Sequence, residues 1–168
     1  MGIKNRRARR RLSKYNDSRL TLLIVALLSL ISIVIMAAGV DMYFLFSAYI
    51  PILITSLGMS LCGKFPPEFY DQNFEGGYAS MEFLDEKVFY VFVAIAIAIV
   101  LVYVALYFLS GKGRGGWLIA SLVLFIIDTV IMLTNAPGIR DIVFHVIIIV
   151  SLCIGLADHY RTKSAREE

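Results

Sequence analysis

"LTLLIVALLSLISIVIMAAG", Leu20–Gly39, is a run of 20 residues without a single charge. At 1.5 Å per residue a helix of that length covers ~30 Å, the thickness of a bilayer's hydrocarbon core. Asp17 and Ser18 stand where a helix cap is wanted. Just before the run lie eight of the chain's 16 Lys and Arg residues: Lys4, Arg6, Arg7, Arg9, Arg10, Arg11, Lys14 and Arg19. A basic flank beside an apolar run fixes orientation and attracts anionic lipid; nucleic-acid binding is not expected. A secretory signal also pairs a basic start with an apolar core. Here the core is too long and the basic stretch too extended, so a retained helix is expected.

The pattern recurs along the chain, in Met42–Leu61, Val88–Ser110, Trp117–Thr134 and Ile139–Ala157. Composition agrees: 59% hydrophobic, 17% charged and a mean hydropathy of +0.78. Soluble domains are nearer half apolar and a quarter charged. The predicted fold is all-α: a polytopic transmembrane bundle of five hydrophobic helices forming one domain over 20–157. Residues 1–19 form a basic cytoplasmic tail in this reading, and 158–168, "DHYRTKSAREE", a mobile one.

Only Val40 and Asp41 separate the first two segments, which predicts a tight hairpin. Pro51 falls near the middle of the second and is expected to kink it. Ser47, Thr55 and Ser56 then either repair the backbone or help a broken helix to line a binding site.

Residues 62–87 hold six acids (Glu68, Asp71, Glu75, Glu82, Asp85, Glu86) and only Lys64 and Lys87. Within them "PPEFYDQNFEGG" reads as a short interfacial helix that begins at Pro67 and stops at Gly76-Gly77. Glu68, Asp71 and Glu75 share one face, a wet side or less simply a cation site; Tyr70 and Phe74 share another, dipped into headgroups. In the third segment Ala94, Ala98 and Ala105 offer small side chains for close helix approach. "GKGRGG" lacks the Lys-Ser/Thr ending of a phosphate loop, and Trp117 is an interfacial anchor.

Topology pulls two ways. Five crossings put Lys112 and Arg114 outside with Arg161, Lys163 and Arg166. If the second segment dips in and returns, all five move to the cytoplasmic side, which the positive-inside rule prefers. Length favours five crossings, the arrangement expected here, because 20 apolar residues span a bilayer. In both, the chain sits multi-pass in the cell membrane with a cytoplasmic amino end.

The chemistry concentrates in "FIIDTVIMLTNAPGIRDIVFH", Phe125–His145. Asp128 precedes the "NAPG" turn and His145 follows it by similar distances. Each lies roughly 9 Å deep at 1.5 Å per residue. Ser121, Asp128 and Asn135 recur every seven residues, and Asp141 and His145 are four apart, so two polar stripes should face each other. An ionisable residue inside a span is expensive, which makes a named partner the first expectation. The pair is either an interhelical hydrogen bond locking the hairpin or a proton or cation site.

Cys62 and Cys153 form no CxxC, and neither a metal, a cofactor nor a disulfide is expected. HExxH, GxSxG and paired catalytic aspartates are missing from the sequence, so an enzyme is not expected. The pattern "WLIASLVLFIIDTVIML…DIVFH…GLADHYRTK" resembles the C-terminal half of small, uncharacterised bacterial polytopic membrane proteins over roughly residues 88–163. There an Asp-Thr pair is followed by Asp-x-x-x-His opening the next helix, here Asp128, Thr129, Asp141 and His145. The resemblance implies an integral membrane protein and carries no activity. The expected role is a structural or interaction component, self-assembling or bound to a membrane-protein partner. The alternative is a subunit of a transport or proton- or cation-coupled system using Asp128 and His145.

Overall fold

The computed structural model describes residues 2–40, 44, 46–111, 114–135 and 137–167, with side chains excepted at 2–13 and 165–167. Asp41 and Met42, Lys112 of the basic turn and Ala136 of the "NAPG" turn therefore lie outside the described residues. Six α-helices follow one another: α1 Gly2–Ala37, α2 Tyr49–Leu61, α3 Pro67–Asn73, α4 Glu86–Leu109, α5 Gly115–Leu133 and α6 Ile139–Glu167. A 3-10 turn, Tyr78–Ser80, lies between α3 and α4, and the described residues contain no strand.

Four of these helices are long and apolar enough to cross a membrane, over Lys14–Ala37, Glu86–Leu109, Gly115–Leu133 and Ile139–Ser164. The protein is thus a helical membrane protein with a ring of outward apolar side chains. Ile24, Leu101, Ile127 and Ile147 are each about half exposed. Inside, Leu22, Ile33, Tyr103, Leu118, Phe125, Ile148 and Leu152 are buried to within 1%. In lipid this core is held by van der Waals fit and hydrogen bonds, because hydrocarbon tails are as apolar as leucine.

The ends of the helices identify the two faces of the bundle. Where the membrane-length part of α1 begins, the Tyr15 hydroxyl donates to the Ser110 carbonyl at 2.6 Å. The Arg19 guanidinium donates to the Tyr107 carbonyl (2.9 Å) and the Ser110 hydroxyl (3.1 Å) and lies over the Tyr107 ring. On the same face Lys14 pairs with Asp158 at 3.7 Å, and the Ser18 hydroxyl donates to the Ser151 carbonyl at 2.6 Å. Gly155 lets α1 and α6 cross there, since a Cβ on it would strike Ser18. Residues 158–167, expected to be a mobile tail, continue α6 as helix, and α1 is helical from Gly2 rather than only from Leu20.

The second segment departs most from expectation. Among its described residues helix forms over Tyr49–Leu61, 13 residues, or about 20 Å, which is too short for the hydrocarbon core. Pro51 does not kink it. It sits in the first turn, where no intrahelical bond to its nitrogen is lost.

The carboxyl end of α2 lies beside the start of α4. The Leu84 amide donates to the Leu61 carbonyl at 2.9 Å, and a Cβ on Gly58 would come within 2.7 Å of Phe92 Cβ. Its amino end lies beside Asp128, five residues before the end of α5. Because α4 and α5 are antiparallel, the start of α4 and the end of α5 belong to one face. So α2 runs from the bundle interior back out to the face where α1 ended. Of the five expected hydrophobic helices, four are full-length and one is half-length.

The short helix of the 62–85 loop starts at Pro67 as expected, and positive φ at Gly76 (86°) and Gly77 (63°) turns the chain after it. Tyr70 is not dipped outward with Phe74. It is fully buried among Phe65, Phe69, Phe74, Tyr78 and Phe83. Its hydroxyl reaches the Ser60 carbonyl (3.0 Å), an acceptor that the last turn of α2 leaves open, and the Met59 carbonyl (3.2 Å), which also accepts the Lys64 amide at 2.9 Å. Burial pushes the Tyr70 phenol up, with smaller opposing and supporting effects from Phe65 and Tyr78. Beside it Lys64 pairs with Glu86, whose hydrogen bond raises the Lys64 ammonium.

Candidate functional site

A helix leaves its first N–H groups without intrahelical acceptors, and α2 opens inside the bundle, away from headgroups and water. In hydrocarbon an unsatisfied N–H costs several kcal/mol. Pro51 removes one such donor by lacking it. Two others, on Tyr49 and Ile50, donate to Asp128 at 2.8 Å each, Tyr49 to Oδ2 and Ile50 to Oδ1. Asp128 is wholly buried, and no side chain of α2's own N-cap makes such a bond. The carboxylate of α5 thus caps α2 from across the bundle. It also meets the positive end of that helix's dipole, equivalent to roughly half a charge.

His145 approaches from α6. Its Nε2 lies 3.3 Å from Asp128 Oδ2, and its Nδ1 lies 2.9 Å from the Asp141 carbonyl. Phe125, one turn before Asp128, stacks on the imidazole at 5.1 Å between centroids and 23° between planes. A carbonyl can only accept, so Nδ1 carries a hydrogen. The contact between Nε2 and Oδ2 then needs one more, held by either the imidazole or the carboxyl. In both forms the pair is neutral as a whole, the charge state a buried membrane site tolerates best.

Before α2 the backbone of residues 44 and 46–48 is irregular, and α1 supplies acceptors for it. The Phe44 amide donates to the Ser32 hydroxyl (3.0 Å), and the Ala48 amide to the Ser29 hydroxyl (2.8 Å). Ser32 also meets Ser47 at 3.0 Å. Non-helical backbone at membrane depth persists only where protein shelters it, and these serines provide that shelter. A small crevice with room for about one water opens beside the pair, lined by Phe44, Ser47, Tyr49, Ile52, Met132, Asp141 and His145. From α4, the buried Tyr103 hydroxyl has no hydrogen-bond partner, and its phenol lies within electrostatic reach of Asp128.

The structure therefore brings Asp128, His145 and Asp141 together and leaves other sequence-derived candidates apart. Ser121 is buried on the Asp128 face of α5, but its hydroxyl donates to its own helix at the Trp117 carbonyl (2.9 Å). Asn135 is exposed, bonded to the Ile131 carbonyl at 2.8 Å, and takes no part in the stripe, because α5 ends at Leu133 before the seven-residue repeat completes. Asp141 contributes its carbonyl to His145, while its carboxylate accepts from the Gly138 amide at 3.2 Å. Thr55 donates to the Pro51 carbonyl at 2.9 Å, within a straight helix.

The amides of Tyr49 and Ile50 escaped the sequence reading, as did Ser29 and Ser32, and Tyr103, placed by sequence at an interfacial end of the third segment, lies buried in the bundle. Backbone donors leave no mark in a sequence. The usable signal was Pro51 itself, a residue favoured in a helix's first turn. Among the described residues no group of three or more His, Cys, Asp or Glu side chains could hold a metal ion. Comparison of the chain with protein-family models, with curated proteins and with solved structures gave no match in any of the three.

Proposed function

We propose that this chain is a multi-pass protein of the cell membrane, with the start of α1 in the cytoplasm, that serves as a component of a membrane assembly rather than as an enzyme. Charge supports the orientation. On the face where α1 begins, α4 turns into α5 and α6 ends, the sequence places every Lys and Arg except Lys64, Lys87 and Arg140. The opposite face carries Glu68, Asp71, Glu75, Glu82, Asp85, Glu86 and Asp141. Cytoplasmic faces carry the positive excess, and the eight basic residues through Arg19 are the contact for anionic lipid.

The observation that carries the assembly role is on α4. Ala94, Ala98 and Ala105 do not pack inside the bundle but are exposed along one outward stripe. In lipid, small side chains mark where a second helix comes close, from another copy or a membrane-protein partner. The test is crosslinking in native membranes of Ala98→Cys, in a chain with Cys62 and Cys153 replaced by Ser. The reading expects a discrete crosslinked species from Ala98→Cys and much less from Val123→Cys on α5. Equal yields from the two would contradict it.

The second reading, a subunit of a proton- or cation-coupled system, is favoured by the one-proton pair Asp128–His145 beside a crevice. Loss of proton or cation flux in proteoliposomes on Asp128→Asn would support it; unchanged flux would remove it.

A further inference from the structure

We propose that Asp128 and His145 form a proton-binding latch on α2: uptake of a second proton by the pair releases the amino end of this half-length helix and opens the crevice beside it. The inference rests on the position of α2 and is independent of the assembly role. Each oxygen of Asp128 already receives a backbone N–H, and Oδ2 also faces His145 Nε2. With one proton between them, carboxyl and imidazole satisfy each other and the two amides. With a second proton both partners are donors: the Nε2–H, the two amides and the carboxyl's own O–H share two oxygens, and that O–H is left without an acceptor. The second proton also leaves the imidazolium uncompensated at the positive end of the α2 dipole. Both effects favour departure of the Tyr49–Ile50 turn.

The surroundings do not oppose this. Among the described residues the titratable groups facing the pair are Tyr103 from α4, Asp141 from α6 and Tyr49 from α2, which lines the crevice. Among the same residues α1 and the segment before α2 bring the hydroxyls of Ser29, Ser32 and Ser47, and α2 also brings amides. The crevice is lined by His145 together with Ser47, Tyr49 and Asp141, which gives the proton a way to the pair. No bond is made or broken other than to this proton, which solvent supplies.

The test is amide hydrogen exchange at Tyr49 and Ile50 in the full chain in lipid nanodiscs, normalised at each pH to amides in the middle of α5. Infrared pH-difference spectra follow the carboxyl and imidazole bands of Asp128 and His145 in parallel. As the pair takes up its second proton, protection at the two amides should fall by about tenfold or more, the scale expected for losing a helix cap. The Asp128→Asn variant should show the low value at every pH. The His145→Gln variant, which still donates but holds no proton, should move the pH at which wild-type protection falls. Amides that stay protected while the pair takes up its second proton, or a fall at the same pH in His145→Gln, would overturn the proposal. The wild-type measurement alone decides it if a variant fails to fold.

Discussion

Oδ2 of Asp128 lies 2.8 Å from the amide nitrogen of Tyr49, a bond made across 79 positions of sequence between two helices of unequal length. At the other end of the same helix the Tyr70 hydroxyl lies 3.0 Å from the Ser60 carbonyl. A helix of four turns that opens inside a bundle cannot send its end groups to water, so other elements must satisfy them. Each satisfying group is a point where α2 can be loosened.

Removing the first should be costly. Asp128→Ala leaves two buried N–H groups and the imidazole without their acceptor. It should destabilise the fold by about 3 kcal/mol, at the low end for breaking a buried charge pair because hydrogen bonds between membrane helices are weaker than expected. Asp128→Asn keeps one acceptor oxygen and should lose roughly half as much. Reversible unfolding in mixed detergent and lipid measures both; equal stability of Asp128→Ala and wild type would deny the cap.

The second removal carries a pH signature. Tyr70→Phe deletes the hydroxyl that serves the Met59 and Ser60 carbonyls and should cost about 1 kcal/mol, the ordinary net worth of a hydrogen bond. In the folded chain burial raises the Tyr70 phenol above its usual value. The stability it contributes is therefore present below the unfolded tyrosine range and is lost as pH rises through the folded value. An alkaline unfolding scan should show Tyr70→Phe losing less stability than wild type over that range.

Packing between α2 and α4 depends on one missing methyl group. Gly58→Ala puts a Cβ 2.7 Å from Phe92 Cβ and 2.9 Å from its Cγ, too close for either helix to ignore. The expected loss is about 1–3 kcal/mol, as for an overpacked core. Gly116→Ala, in the first turn of α5, meets nothing within 4 Å and should be neutral or stabilise by about 0.5–1 kcal/mol. Thermal unfolding of the two variants side by side checks the contrast; an equal effect from both would contradict the packing described.

Much of this architecture is legible in the sequence, for a physical reason. Hydrocarbon demands long uncharged helices, and Leu20–Gly39 or Val88–Ser110 can be little else. The meeting of Asp128 with His145 follows from counting outward from one turn. What hid was anything decided by backbone groups. Met42–Leu61 has the composition of a span, yet of its described residues 44 and 46–48 are irregular backbone held by Ser29 and Ser32, and only the position of Pro51 and the distribution of Lys and Arg favoured the shorter helix. Asn135 fits a seven-residue stripe, but periodicity does not announce where α5 stops. Ala94 and Ala98 were correctly read as small, while the side of α4 they occupy depends on neighbours that local spacing does not reveal.

The half-length α2 is the claim on which the rest stands, and Cys62, just past its carboxyl end, reports on it directly. In sealed vesicles, with Cys153 replaced by Ser, Cys62 is labelled with a membrane-impermeant thiol reagent. Two single-cysteine references, Val40→Cys just after α1 and Asn16→Cys where the apolar part of α1 begins, are built with Cys62 also replaced by Ser. The account predicts that Cys62 and Val40→Cys react from one side and Asn16→Cys from the other. Labelling of Cys62 from the same side as Asn16→Cys would mean that the second segment crosses the membrane, and would contradict it.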